Sequence, residues 1–356
     1  MTTYLLAGGG TAGHVNPLLA LADQIKKHEP GAEIIALGTS EGLESRLVPQ
    51  RGYELLTVQR LPFPRKLNSS ALRFPRQYRA NVAAVRAIIR ERKVDVVVGF
   101  GGYASAPAYS AAKAEGVPYA VHEANAMAGL ANRRGAKNAS LVAVAFEGTK
   151  LPGAVFTGMP LRPEIEALTL VSDKAAARKH FGLDESTVTL LVTGGSLGAK
   201  RINETLEASR KVLSAAGIQV LHIMGGNSTL PEVSEPGYVR VSYCDRMELA
   251  IASADVAIGR SGAATVSEFS AVGLPAVYVP YPVGNGEQSL NAASAVAAAA
   301  AILVKDADFT PQFVANTVVP LLSDSKRLAA MSTAAEKVAI SDGAERLYRL
   351  VAGLKR

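Results

Sequence analysis

Two stretches of this chain begin alike. "YLLAGGGTAGHVNPLLALA" opens at Tyr4 and "LLVTGGSLGAKRINETLEA" opens at Leu190. Each reads as a short buried strand, a glycine-rich turn and a helix. A spacing of about 185 residues is far too long for a solenoid repeat, so the pattern implies two similar nucleotide-fold domains in tandem. The length of 356 residues also suits two domains rather than one core. Apolar runs alternate with helix-like segments throughout, which implies α/β architecture on parallel sheets. In the first half the expected strands are Tyr4–Ala7, Glu33–Leu37, Glu54–Val58, Val94–Val98, Tyr119–His122, Leu141–Val144 and Val155–Thr157. In the second half they are Thr187–Val192, Gln219–Met224, Val239–Ser242, Val256–Ile258, Ala276–Val279 and Ala301–Leu303. Their Val/Ile/Leu character suits strands buried on both faces. Helices are expected between them, among others over Pro17–His28 and Arg79–Arg92. "TGMPLRPEI", residues 157–165, is the expected linker, because Pro160 and Pro163 interrupt regular structure. This divides the chain into 1–160 and a second domain from 161.

With 48% hydrophobic and 19% charged residues, the chain has the composition of a soluble globular protein. The single Cys244 cannot form an internal disulfide. The long charge-free stretches 269–286, 96–112 and 288–304 are interrupted by proline or rich in Gly, Ser and Ala. None has the roughly 20 strongly apolar residues of a membrane span. No secretory signal is visible, so a cytoplasmic location is expected.

The first turn contains Gly8-x-Gly10-x-x-Gly13. Alone, that spacing is the dinucleotide fingerprint. The fingerprint also needs an acid at the tip of the second strand, and that strand ends Leu37-Gly38-Thr39. A nicotinamide or flavin site is therefore disfavoured, although the turn still aims backbone N–H groups at whatever lies above it. His14 follows at the first turn of the helix. It either caps and packs locally or, as a neutral imidazole beside a helix N-terminus, acts as a general base.

"VVVGFGGYASAPAYSAAK", from Val96, supplies another glycine turn after a buried strand. It is either close packing or a ligand approach. In "HEANAMAGLANR", Glu123 and Asn125 stand at a strand end, where open α/β folds bind ligands. Asn125 either caps the loop or hydrogen-bonds a sugar hydroxyl or acetamido group. "TGGSLGAK" offers N–H groups and the Ser196 hydroxyl to a diphosphate. In "GRSGAATVSEFSAVGLPAVYVP", Glu268 sits about two turns into a helix bounded by strand ends. It is either a solvated helix residue or an acceptor for both hydroxyls of a ribose. "GNGEQSLNA" carries Glu287, Gln288 and Asn291, which are carbohydrate-type hydrogen-bonding groups. "DAD", Asp306–Asp308, reads as a loop and helix cap, and no cluster has metal-ligand spacing.

Net charge is +7, and it is localised. Residues 1–160 hold 19 Lys and Arg against 11 Asp and Glu. Within them, residues 60–93 carry 10 Lys and Arg against Glu91 alone. Arg65, Lys66, Arg73, Arg76 and Arg79 interleave with Leu61, Phe63, Leu67, Leu72, Phe74 and Tyr78. A solvated helix face is one reading. Basic residues with aromatics also suit nucleic acid. An apolar patch ringed by Lys and Arg better suits an anionic lipid surface, and no nucleic-acid partner is expected.

Six of these segments together resemble the bacterial N-acetylglucosaminyltransferases of peptidoglycan synthesis, the MurG family. They are "GGGTAGHVNPLLALA", "GFGGYASAPAYSAAK", "HEANAMAGLANR", "GGSLGAKRIN", "RSGAATVSEFSAVGLPAVYVP" and "EQSLNA", in the family's order and spacing. The resemblance runs nearly end to end. It implies a GT-B fold: two Rossmann-like α/β domains facing across a cleft. It implies inverting transfer from UDP-GlcNAc to the MurNAc 4-hydroxyl of undecaprenyl-linked lipid I, giving lipid II, with no metal or other cofactor. The family's setting is cell-wall biogenesis, with its links to cell shape and division, at the cytoplasmic face of the cell membrane as a peripheral protein. The amino-terminal domain, 1–160, would bind acceptor and membrane. The carboxyl-terminal domain, 161–334, would bind UDP-GlcNAc, and residues from about 335 to 356 would return to the first domain.

Carried over residue by residue, Thr11, Ala12 and Gly13 approach the donor sugar and diphosphate. Asn125 is the donor-site Asn, and Arg162 and Ser196 serve the diphosphate. Ala263, Ala264, Thr265, Val266, Ser267 and Glu268 line the nucleotide, with Glu268 on the ribose. Gln288 holds the sugar, Cys244 stands where uracil is met through backbone, and His14 is the candidate catalytic base. Met159 replaces the usual Asn of "GNP", and Glu287 replaces the first Gln of "QQ". Three other readings compete. A UDP-sugar 2-epimerase shares the architecture but needs no lipid acceptor. A dehydrogenase needs the missing ribose acid. A membrane-docked scaffold needs no nucleotide.

Overall fold

The computed structural model describes residues 1–64, 69–170 and 173–355, with Ser69 and Ser70 in backbone only. Two compact units account for the chain. The first is Met1–Arg162 with Asp342–Arg356, and the second is Pro163–Ser341. The boundary thus falls two residues beyond the expected 160. The chain re-enters the first unit at Asp342 rather than near 335, because the helix Ser325–Val338 stays with the second.

In the first unit, seven parallel strands form one sheet: β1 (Thr3–Ala7), β2 (Glu33–Gly38), β3 (Glu54–Thr57), β4 (Val96–Gly99), β5 (Tyr119–Glu123), β6 (Leu141–Val144) and β7 (Ala154–Phe156). Their spatial order is β3-β2-β1-β4-β5-β6-β7. Successive residues of β1 feed opposite faces. Tyr4 and Leu6 join one buried cluster, and Leu5 and Ala7 join the other. That is why these strands read as continuous apolar runs. The first cluster is covered by helix α1 (Ala12–His28) and by the helix Gly343–Ala352 at the far end of the chain. The latter docks through Leu347 and Val351, a hydrogen bond between His28 and Glu345 at 2.7 Å, and Tyr348, whose hydroxyl donates to Glu29.

Helix α2 (Glu44–Gln50) also packs on the first cluster, through Val48, while the other face of this sheet carries α3 (Ser69–Glu91) and α4 (Gly102–Glu115). Helix α3 begins ten residues before the expected Arg79. Phe74, Tyr78, Asn81, Val85 and Ile89 recur at helical spacing, and the last three are buried. That stripe holds the helix through Pro75, which lies in its second turn and cannot donate to the carbonyl four residues back.

The second unit repeats the scheme. Its strands are β8 (Thr189–Thr193), β9 (Gln219–Ile223), β10 (Val233–Glu235), β11 (Tyr238–Val241), β12 (Val256–Gly259), β13 (Ala276–Tyr278) and β14 (Ala301–Leu303). They lie in the order β10-β11-β9-β8-β12-β13-β14. All pairings are parallel except β10 with β11. Strand β10 was not among the expected strands. In both sheets the order reverses beside the strand that starts the unit, at β1/β4 and at β8/β12. Ligands of open α/β sheets bind outside the carboxyl ends of strands at such points. The turns at Gly8, Phe100, Gly194 and Arg260 leave those four strand ends.

Candidate functional site

In the first unit, Gly8 continues β1, its N–H donating to Leu37 at 3.0 Å. Thr11 then caps α1 in extended conformation, and Thr11, Ala12, Gly13 and His14 stand at its first turn. Helix α1 starts five residues before the expected Pro17, so His14 is inside it. The ring is half-buried and is fixed by Nδ1, 3.1 Å from the Gly9 carbonyl oxygen. A carbonyl accepts only, so Nδ1 carries the hydrogen. In the neutral ring, Nε2 then holds the lone pair. That is the form a general base needs. The Thr11 hydroxyl lies 3.5 Å from the same Nδ1. The backbone of Gly101 packs on the other edge of the ring.

The loop after β5 is organised by Glu123, which is buried. Its carboxylate accepts from Asn125 N–H at 2.9 Å, Gly129 N–H at 2.9 Å and the Asn132 amide at 2.9 Å. Asn125 also turns its side-chain amide toward Glu123, at 3.4 Å. The loop-capping reading of Asn125 is therefore realised, and its half-buried side chain has a fixed setting. Asn132 is itself held by the Tyr109 hydroxyl at 2.7 Å, and Tyr109 is slotted against Gly99 and Gly135. Sequence reading passed over Tyr109 and Asn132. Their signal was the two glycines that leave room for an aromatic ring.

His122 lies beneath this loop, wholly buried and tilted against Phe100 at 5.5 Å between ring centres. Among the described residues neither ring nitrogen reaches a partner in full hydrogen-bond geometry, the Gly158 backbone being its polar neighbour. Burial pushes its pKa down to about 4, the Gly158 backbone opposes that fall, and the nearby His14 adds to it. Met159 is buried and packs its carbonyl against Gly343, so the residue in place of the family's Asn serves the return of the last helix. Arg162 is half-buried at the end of this unit.

In the second unit, the turn after β8 leaves Gly195, Ser196 and Leu197 exposed. Two of its N–H groups are already used, Gly195 donating to the Thr193 hydroxyl and Gly198 to the Gly195 carbonyl. Gly198 has φ +83° and lies flat on the Met224 carbonyl, an approach a Cβ would prevent. The same carbonyl accepts from Asn203 at 3.0 Å. Asn203 in turn accepts from His222 Nε2 at 3.0 Å, which leaves His222 Nδ1 to accept from the Tyr238 hydroxyl at 3.0 Å. Burial, then the charge on Arg240, pushes His222 down to about 3. A neutral buried histidine thus supports the exposed turn.

The turn after β12 enters the helix Ala263–Ala271. Ala264, Thr265, Ser267 and Glu268 are half-exposed on it. Ala263 and Val266 are buried, 6% and 2% exposed. Of the six residues expected to line a nucleotide, these two have side chains turned to the core, as helical spacing requires. Asn291, grouped earlier with the sugar-binding residues, is fully buried and donates to the Ser261 carbonyl at 3.2 Å. It fixes the entry of this helix. Gln288 is half-buried, and its carbonyl accepts from Tyr281 N–H at 2.9 Å. Arg260 was not singled out from sequence. It donates to the Val279 and Pro280 carbonyls and pairs with Asp306 at 2.6 Å. The "DAD" segment is thereby bound to arginine. Among the described residues, no group of three His, Cys, Asp or Glu could hold a metal. Cys244 is half-buried in the loop after β11.

The basic stripe divides in two. Arg86 and Arg90 pair with Glu115, and Arg92 pairs with Glu33 and Glu54. Arg73, Arg76 and Arg79 are exposed, and among the described residues no carboxylate pairs with them. Leu72 is 85% exposed and Phe63 45% exposed. Phe74 is half-buried between Phe63 and Tyr78, so it is less free to insert than the sequence implied. Arg65, Lys66 and Leu67 lie outside the described residues.

Two family models match the chain. The glycosyltransferase family 28 N-terminal domain matches residues 4–144 and the family 28 C-terminal domain matches residues 189–347. The chain belongs to glycosyltransferase family 28 and, within it, to the MurG transferases. It is 58% identical over 351 residues to the UDP-N-acetylglucosamine–N-acetylmuramyl-(pentapeptide) pyrophosphoryl-undecaprenol N-acetylglucosamine transferase of Leifsonia xyli. That match covers 99% of this chain and 98% of the relative. The namesake enzyme of Streptomyces coelicolor is 48% identical over 98% of this chain and 96% of its own. The crystal structure of Acinetobacter baumannii MurG superposes with a TM-score of 0.79 at 25% identity, covering 99% of this chain and all of that one. Two Rossmann-like α/β units of the GT-B class are therefore the fold.

Proposed function

We propose that this chain moves N-acetylglucosamine from UDP-N-acetylglucosamine to the 4-hydroxyl of the N-acetylmuramyl sugar in lipid I, giving lipid II with inversion. The observation that carries the mechanism is the setting of His14, with Nδ1 on the Gly9 carbonyl and Nε2 left to accept a proton. The substrates are those named for relatives up to 58% identical over nearly the whole chain. The acceptor oxygen attacks the anomeric carbon while its proton passes to His14 Nε2. The bond from that carbon to the diphosphate breaks, and UDP leaves with the charge.

Residue roles follow the same reading. Glu268 accepts from the ribose hydroxyls. Ala263 and Val266 contribute backbone, beside Ala264, Thr265 and Ser267. Gln288 offers its free amide hydrogens to the sugar, and Asn125 offers its side chain. Ser196, Arg162 and the turn at Thr11–Gly13 serve the diphosphate. Preorganised donors of this kind stabilise a leaving group without reorganising during the step. The first unit binds acceptor and membrane, and the second binds the nucleotide.

The protein works as a peripheral protein at the cytoplasmic face of an anionic membrane, in cell-wall synthesis. The bare arginines of α3 and exposed Leu72 support this. So does the finding that no described helix is long and apolar enough to cross a membrane. Incubation with radiolabelled UDP-GlcNAc and a lipid I analogue tests the reading. Label in the lipid product is expected. Formation of UDP-ManNAc without acceptor would favour an epimerase instead.

A further inference from the structure

Three glycines in a row follow β1, and the middle one is there to make room for a side chain. A Cβ on Gly9 would overlap the carboxylate of Glu44. Gly38, at the end of β2, and Gly42 press on the same side chain from other directions and would overlap it too. Glu44 is 0% exposed. A carboxylate can stay ionised there only if donors replace its water. Oε1 accepts from Thr39 N–H and the Thr39 hydroxyl, both at 2.8 Å, and Oε2 accepts from Gly10 N–H at 2.7 Å.

The Gly10 N–H belongs to the same peptide group as the Gly9 carbonyl. That carbonyl is the acceptor for His14 Nδ1–H. Carboxylate, peptide and imidazole thus form one hydrogen-bonded chain. An anion at the N–H end of a peptide draws its hydrogen and leaves more negative charge on the oxygen, so the bond at the other end strengthens. We propose that Glu44 is a positioning residue for His14: through the Gly9–Gly10 peptide it holds the imidazole with Nδ1 protonated and Nε2 bare. A carboxylate bonded directly to a catalytic imidazole does the same work. Here one peptide group stands between them. The arrangement also accounts for the glycine turn without its ribose acid. The acid comes from the start of α2 and takes a turn N–H that a phosphate would otherwise have.

The groups bordering the His14 ring are the Thr11 hydroxyl, the Gly101 backbone and, across Gly101, the Asn132 amide, none of which titrates; His122 is the titratable neighbour, kept neutral by burial. Glu44 is the anion linked to it through hydrogen bonds.

The inference rests on His14 as the base in the proposed reaction, so its test includes a readout independent of turnover. The full-length chain is labelled with ¹⁵N-histidine and the His14 nitrogens are followed against pH, with His14→Gln for assignment. Wild type should show the Nδ1–H form. Glu44→Gln should mix the two neutral forms and lower the titration midpoint of His14 by about half a pH unit, a roughly threefold loss of proton affinity. The acid limb of kcat/KM should move down with it. kcat should fall about tenfold while KM for UDP-GlcNAc holds. A purely structural role would lower kcat without moving that limb. The Gln amide must set its NH₂ against one of the N–H donors, so Glu44→Ala with added formate is the second variant. Formate should restore the wild-type His14 signals. His14 spectra indifferent to both variants would overturn the inference and leave the base reading standing, whereas an Nε2–H form in wild type would overturn both. Full activity in His14→Gln would overturn the base reading and leave the coupling standing.

Discussion

The backbone of Gly101 lies against the His14 ring, so that a Cβ there would stand 3.1 Å from Nε2. Gly101 also has φ +95°, which side chains rarely adopt. Gly101→Ala therefore adds backbone strain of about 1–3 kcal/mol and displaces the nitrogen proposed to take the proton. Turnover should fall at least tenfold, with a smaller change in UDP affinity, because Glu268 and the other residues proposed to hold the nucleoside are in the second unit and only the diphosphate is proposed to reach Thr11–Gly13. Steady-state kinetics beside calorimetry with UDP separates the two effects.

Glu268 is expected to read the ribose through charged hydrogen bonds. Glu268→Gln keeps the size but removes the charge and makes one side a donor. Charged hydrogen bonds contribute about 1.5–3 kcal/mol each, so UDP should bind at least tenfold more weakly. Calorimetry that finds UDP affinity unchanged removes Glu268 from the site.

Departing UDP needs positive charge beside it. Arg162→Ala should cut turnover by about 10²-fold, the loss seen when one preorganised donor is removed. Asp306 is held by Arg260 rather than standing open, and activity is expected to survive EDTA. Persistent activity in Arg162→Ala, or its loss in EDTA, would rule out this scheme.

Each unit buries one neutral histidine, His122 with pKa about 4 and His222 with pKa about 3. Both lie below the ordinary value near 6.5. Below that value the unfolded chain takes up protons that the folded units refuse. Stability is therefore fully present above pH 6.5. It falls as pH drops toward about 4 for the first unit and about 3 for the second, by about 1.4 kcal/mol per pH unit for each histidine. Urea denaturation between pH 7 and 5 measures it. His122→Phe should flatten the slope of the first unit, since it removes the group that the folded unit keeps unprotonated. An unchanged slope would assign the acid sensitivity to other groups.

Thirteen strands could be read from the chain, the central ones because they are runs buried on both faces and the edge strands β3, β7 and β14 from their apolar residues alone, since they are partly exposed. β10 could not be. Its three residues, Val233–Glu235, stand on a sheet edge between Pro231 and Pro236 and carry no apolar pattern. Helix α3 was read too short because Pro75 looks like a stop, while the buried stripe continuing to Ile89 is a tertiary effect. The glycine turns and His14 were legible because local spacing defines them. Glu44 was not, since its partners come from two strand ends and a loop, and nothing local says that the carboxylate points inward. The core-facing side of Val266 was legible in principle from its helical spacing, but the motif it belongs to drew attention to ligand instead.

The stripe on α3 bears on the proposed membrane contact. Its distal arginines are tied to Glu115, Glu33 and Glu54, which leaves Arg73, Arg76 and Arg79 exposed beside Leu72 as the cations of the proposed contact. Each such cation contributes about 1 kcal/mol near anionic lipid, screened by salt. Three of them with an inserted leucine suffice for reversible attachment. Changing all three arginines to Glu should abolish sedimentation with anionic vesicles and cut activity on vesicle-borne lipid I. A short-chain, water-soluble acceptor should still be used nearly normally, because His14 and the nucleotide residues are untouched. High salt should reproduce the loss in wild type. If the triple variant sediments like wild type, the stripe is a solvated helix face and another surface holds the membrane.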